Sequence, residues 1–137
     1  MTKMIFINLP VKDLAATERF YLALGFEKNE QFSNDQAISM MWSDAITFML
    51  LRTDYFETFT RRPTANSKDT VGALFAISLD SREAVDAITE TAGKSGGKAD
   101  VHAVQDLGFM YSRAFEDPDG HIFEPAYMDM TAMPEEN

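Results

Sequence analysis

The amino-acid sequence predicts an α+β protein in which two β-α-β-β-β modules form a curved mixed sheet around a cleft. Three observations predict it. The same order of strand and helix signals occurs twice. Each helix signal opens at an acid, Asp13 or Asp80, and closes at a glycine, Gly25 or Gly93. A polar stretch, residues 53–70, separates the two runs and is long for a structureless connection. A helix in each module would cover one sheet face and leave the other free to line something.

The elements follow in order. Met4 to Val11 is rich in β-branched and aromatic residues and reads as a strand. Asp13 can cap a helix on which Leu14, Thr17, Phe20, Tyr21 and Leu24 recur at helical spacing, and Gly25 stops it. Strands are predicted over 26–32, 37–42 and 45–52, with Asn34-Asp35 and Ser43-Asp44 as turns. The connector 53–70 holds Arg61-Arg62-Pro63 and suits a binding loop, a lid or a linker. Residues 71–79 read as a strand, and Asp80 with Glu83 has the spacing of a capping box. Ala84, Val85, Ile88 and Ala92 form a helical stripe, and Ser95-Gly96-Gly97 reads as a turn. Strands follow over 99–105, 109–116 and 121–128. This places one two-module domain at 1–130, with modules at 4–52 and 71–128 and a flexible acidic tail at 131–137.

Composition removes whole classes of function. The absence of cysteine excludes disulfides, thiol nucleophiles and cysteine-ligated metals, and it suits a cytoplasmic location. Apolar runs stay far below the roughly 20 residues that span a bilayer, and Met1-Thr2-Lys3-Met4-Ile5-Phe6 does not read as a signal peptide. Twelve basic against 22 acidic residues leave a net charge of −10, which repels nucleic acid and anionic lipid and weakly favours a cationic ligand.

Familiar catalytic motifs fail. Gly93-Lys94-Ser95 resembles the end of a phosphate loop, but Ile88 stands where that loop needs glycine, and the segment ends a helix rather than opening one. No G-x-G-x-x-G, G-x-S-x-G or H-E-x-x-H occurs. The two histidines supply at most two imidazole ligands: His102 reads as a surface residue, and His121 alternates onto the face opposite Glu124. The most specific segment is Glu116-Asp117-Pro118-Asp119-Gly120, a well-made turn between two strands.

That turn, a glutamate four residues past its glycine, an early N-L-P-V-K-D-L segment (8–14) running into F-Y and L-G-F, and the doubled plan occur together. The combination resembles the vicinal oxygen chelate superfamily, which holds glyoxalase I, bleomycin-resistance proteins and extradiol dioxygenases. The resemblance covers about 4–127 and implies a glyoxalase-like fold. It also implies four inward ligands for a divalent metal in catalytic members. Matched motif to motif, the last ligand falls on Glu124, the first on Phe6, the second near Phe48 and the third on Leu74. Three hydrocarbon side chains beside one carboxylate make a degenerate metal site. Asn8 and Thr47 are near enough in sequence to offer substitute oxygens.

The expectation is therefore a glyoxalase- or bleomycin-resistance-like homodimer that binds a small, partly apolar ligand. Phe6, Asn8, Trp42, Phe48, Leu74, Tyr111, Arg113 and Glu124 would line its site, with no metal or other cofactor and no nucleic-acid or membrane partner. Two roles stay open for Glu124: ligand contact, or an ion pair with Arg113 on the preceding strand. The alternative is a lactoylglutathione lyase-like enzyme, a lyase, isomerase or dioxygenase that uses one divalent metal ion or Glu124 as a general base.

Overall fold

A computed structural model describes residues 2–131. The chain divides into two compact units that meet at Thr70/Val71, the end of the predicted connector. Of the predicted tail at 131–137, residues 132–137 lie outside the described residues.

The first unit opens with β1 (Ile5–Val11) and α1 (Leu14–Ala23). The Asp13 carboxylate accepts from the Ala15 and Ala16 amides at 3.0 and 3.2 Å, which satisfies two of the free N–H groups at the helix start. Gly25 leaves the helix at φ 97°, a conformation open to glycine and costly for other residues. The predicted strand 26–32 shrinks to β2 (Glu27–Lys28). The cause is local: the Asn29 side chain caps a 3-10 turn at Glu30–Phe32 by accepting from the Gln31 amide. β3 (Ala37–Met41) and β4 (Ile46–Arg52) complete a sheet of order β1-β4-β3-β2, with β1 parallel to β4 and the other pairs antiparallel.

The predicted connector does not begin as a loop. Thr53–Phe56 forms a short α2 and Glu57–Phe59 a 3-10 turn. Thr53 donates from Oγ1 to the Val11 carbonyl at 3.0 Å, and Tyr55 meets Phe59 edge-on at 5.0 Å. These contacts fasten the segment to its own unit.

Strand alternation settles the core of this unit. Leu9, Val11, Ile38, Met40, Phe48 and Leu50 face α1, whose Phe20 and Tyr21 are fully buried. Tyr21, Phe26 and Phe48 form a chain of edge-on rings 5.1 and 5.9 Å apart. Burying each such ring contributes about 1.5–3 kcal/mol.

The second unit comprises β5 (Leu74–Ser78), α3 (Arg82–Lys94), β6 (Lys98–Ala99), β7 (Gln105–Asp106), β8 (Met110–Ser112), β9 (Phe115–Glu116) and β10 (Ile122–Met128). β10 is central. It runs parallel to β5 and antiparallel to β8 and β9, to which β7 and β6 add. On α3, Val85, Ile88, Thr89 and Ala92 are buried. Across the sheet Phe115 stacks on Phe123 at 5.3 Å.

Several predicted details are corrected here. Ser81, not Asp80, caps α3 by accepting from the Ala84 amide at 3.0 Å. Glu83 is then one position short of where a capping box needs it. Gly93 does not end the helix, which runs on to Lys94. A Cβ there would meet the Ala99 side chain at 3.2 Å, so this glycine permits close approach of β6. The predicted strand 99–105 is broken after Ala99, where Asp100 adopts φ 55°. The strand 109–116 is also interrupted. Arg113 donates its amide to the Pro125 carbonyl at 3.2 Å, but Pro125 has no N–H to return.

Candidate functional site

In the second unit the turn at 116–120 aims β10. The Asp117 carboxylate, fully buried, accepts from the Asp119 and His121 amides at 2.9 Å each, and Gly120 takes φ 91°. From there alternation along β10 sends Phe123 and Pro125 towards α3 and Glu124 to the opposite face. Leu74, also predicted, joins that face, since it pairs with Ile122 and is half exposed.

Tyr111 and Arg113 do not share it, which sets aside the Arg113–Glu124 pair, one of the two roles left open for Glu124. The ladder places Ser112 opposite Ala126 and Phe115 opposite Phe123, so Tyr111 and Arg113 point with Phe123 towards α3. Arg113 is only one-tenth exposed and is ringed by acids. It donates to both Asp100 oxygens at 3.0 and 2.7 Å, to Glu90 at 2.7 Å and to Asp86 at 3.1 Å. Tyr111 donates its hydroxyl to Asp86 at 2.6 Å. The Asp100 hydrogen bonds raise the Arg113 pKa further above its ordinary value, and in return Asp100 is lowered. This cluster holds helix to sheet.

Glu124 meets His102 instead: Nε2 lies 2.9 Å from Oε2, with the two side chains 38% and 27% exposed. Sequence reasoning set His102 aside as a surface residue. Nothing in the spacing signals this contact, because the break at Asp100 decides where residue 102 points.

In the first unit Phe6 and Asn8 stand on the face away from α1. There Phe6 pairs with Thr47 and Asn8 with Met49. Phe6 is 55% exposed. Phe48 points the other way, into the ring core, and the position expected near it belongs to its neighbours Thr47 and Met49. Trp42 likewise packs on Phe26 at 5.1 Å, on the α1 side. Beside Asn8 lies a pocket of about 260 Å³ lined by Asn8, Leu51, Phe56 and Phe59. Phe56 and Phe59 come from the segment read as connector.

These faces belong to a fold with known relatives. The profile of the Glyoxalase/Bleomycin resistance protein/Dioxygenase superfamily matches residues 3–124, and the chain belongs to that superfamily. Among solved structures it is similar to a hypothetical protein from S. aureus (24% identity, TM-score 0.77, covering 93% of this chain and 94% of that one). It is also similar to a glyoxalase-related enzyme from Fulvimarina pelagi (19%, 0.77, covering 93% and 88%). A third is the fosfomycin resistance protein FosX from Listeria monocytogenes (22%, 0.63, covering 100% and 96%). At these identities the likeness speaks for the fold. No curated protein sequence matches.

The sequence resemblance also implies a divalent ion, for which Glu124 is the matching donor on this face. Glu124 gains one nitrogen from His102, whereas a zinc ion takes three or four protein ligands. Among the described residues no group of three His, Cys, Asp or Glu side chains could hold a metal.

Proposed function

We propose that this chain is a small-molecule-binding member of its superfamily that takes a partly apolar ligand without a resident metal. The observation that carries this reading is the pocket of the first unit. Leu51, Phe56 and Phe59 supply apolar walls, and the Asn8 amide is the one group able to orient a polar substituent. At about 260 Å³ it accepts a fragment of one or two rings rather than a whole drug-sized molecule. Phe6 and Leu74, hydrocarbon at positions that match metal ligands in catalytic relatives, accord with the same reading.

The enzymatic alternative gains only His102 as a second donor. In the proposed reading the working form is a cytoplasmic homodimer. The half-exposed Ile5 and Phe6 on β1, an edge strand of its sheet, give a second copy apolar surface to cover.

The test is an amide-resolved NMR titration of the full chain with indole. Shifts should centre on Asn8, Leu51, Phe56 and Phe59, and Phe59→Ala, which removes an exposed wall, should weaken binding roughly fivefold. Shifts elsewhere, or stoichiometric uptake of added nickel, zinc or manganese, would overturn the reading. Trp42 fluorescence cannot serve, because that ring sits on the opposite face of the sheet.

A further inference from the structure

The segment between β6 and β8 is pinned at both ends, where the Val101 amide also donates to the Ala114 carbonyl at 3.3 Å and Gln105 pairs with Ser112. At its start the Asp100 carboxylate is gripped by Arg113 through two hydrogen bonds, with the backbone in the left-handed region. At its end Arg82 grips Asp106 at 2.9 and 3.0 Å and donates to the Gly108 carbonyl at 3.1 Å. Gly108 itself lies at φ 83°. Between the two clamps, residues 102–105 are exposed, and the His102 ring reaches β10 at Glu124.

The surface under that contact is built of small side chains. Ala76 is the register partner of Glu124 on β5, and Ala114 faces it from the other side. Ala126, flanked by Ser78 and Ser112, follows on the same face. With His102 turned away, Glu124 would stand as a carboxylate above a floor that leaves room beside it.

We propose that residues 102–104 form a latch over a ligand-anchoring carboxylate. His102 is the place-holder on Glu124, and a ligand carrying an ammonium or amidinium group displaces it. The chemistry of exchange requires such a group. A ligand that covers this partly buried carboxylate must replace the donor it displaces, and an apolar or anionic newcomer would leave it unsatisfied. The net charge of −10 raises the local concentration of cations around the chain. The two arginine clamps let the middle of the segment swing while its ends stay in register. The site is independent of the first-unit pocket, so either proposal can fail alone.

The test uses benzylamine as the probe cation, titrated into the labelled full chain. His102→Ala should bind it about fivefold more tightly than the unaltered protein, because a latch closed about four-fifths of the time lowers apparent affinity by that factor. His102→Gln, which can still donate to Glu124, should restore most of the difference. Glu124→Gln should weaken binding at least about tenfold in either background. Amides 102–104 should exchange faster in His102→Ala than in His102→Gln. Equal affinity with and without His102, shifts that survive Glu124→Gln, or no binding by His102→Ala would each overturn the proposal. His102 is exposed and its replacement leaves both clamps in place, so the fold is retained and the amide spectrum verifies it.

Discussion

The two units repeat one plan but fasten helix to sheet by different physics. In the first, α1 is held by rings: Phe20 meets Tyr21, Tyr21 presses on Phe26, and Phe26 in turn meets Phe48 on β4. In the second, part of the same task falls to Arg113, whose guanidinium bridges β8–β9 to Asp86 and Glu90 on α3 and to Asp100 after β6. The first fastening is non-directional and insensitive to pH and salt. The second is directional and depends on every partner keeping its charge. A repeated topology therefore does not require a repeated core; it requires only that each helix bury one face.

Three changes test that contrast. The largest effect is expected from Phe48→Ala, which opens a cavity at the sheet end of the ring chain. It should cost about 3–5 kcal/mol in urea unfolding, with exchange accelerated in α1. Arg113→Leu should cost less, about 2–3 kcal/mol, read from exchange of α3 amides. It removes one well-buried cation but leaves acids that are themselves about half exposed. If Arg113→Leu left α3 protection unchanged, the helix would be held by its apolar stripe alone and the contrast would vanish.

The smallest effect is that of acid. Arg113 holds Asp100 below the ordinary carboxylate range, and Arg82 takes Asp106 down to about 2. Groups lowered in the folded state add stability at pH values above their unfolded pKa, and that stability is lost as pH falls through the folded value. Between about pH 5 and pH 2 the second unit should lose protection faster than the first. In the first unit the lowered carboxylate is Asp54, in a solvent-exposed pair with Arg52. Parallel decline of α1 and α3 amides would refute the assignment.

Much of the fold was legible because it rests on local rules. The Asp13 cap, the Gly25 exit, β1, β3, β4 and β10 each follow from spacing within a few residues. What escaped was decided by neighbours. Gly93 looked like a helix stop because glycine usually is one, yet its purpose is the close approach of Ala99. The strand at 109–116 is interrupted by a proline on another strand.

The candidate site was half legible for the same reason. Phe6, Asn8, Leu74 and Glu124 fall on faces away from the helices, as alternation requires once a strand's register is known. Phe48, Trp42, Tyr111 and Arg113 fall on the helix side, since a shift of one residue reverses the face and no local signal fixes that parity.

By itself the amino-acid order determined the doubled β-α-β-β-β plan and the family resemblance. These depend on pattern and composition, which survive without coordinates. Only the tertiary structure decided that Arg113 serves the helix, that Phe56 and Phe59 wall a pocket, and that His102 reaches Glu124. Such contacts join residues far apart in the chain, and their partners are selected by register and chain reversal rather than by anything written beside them.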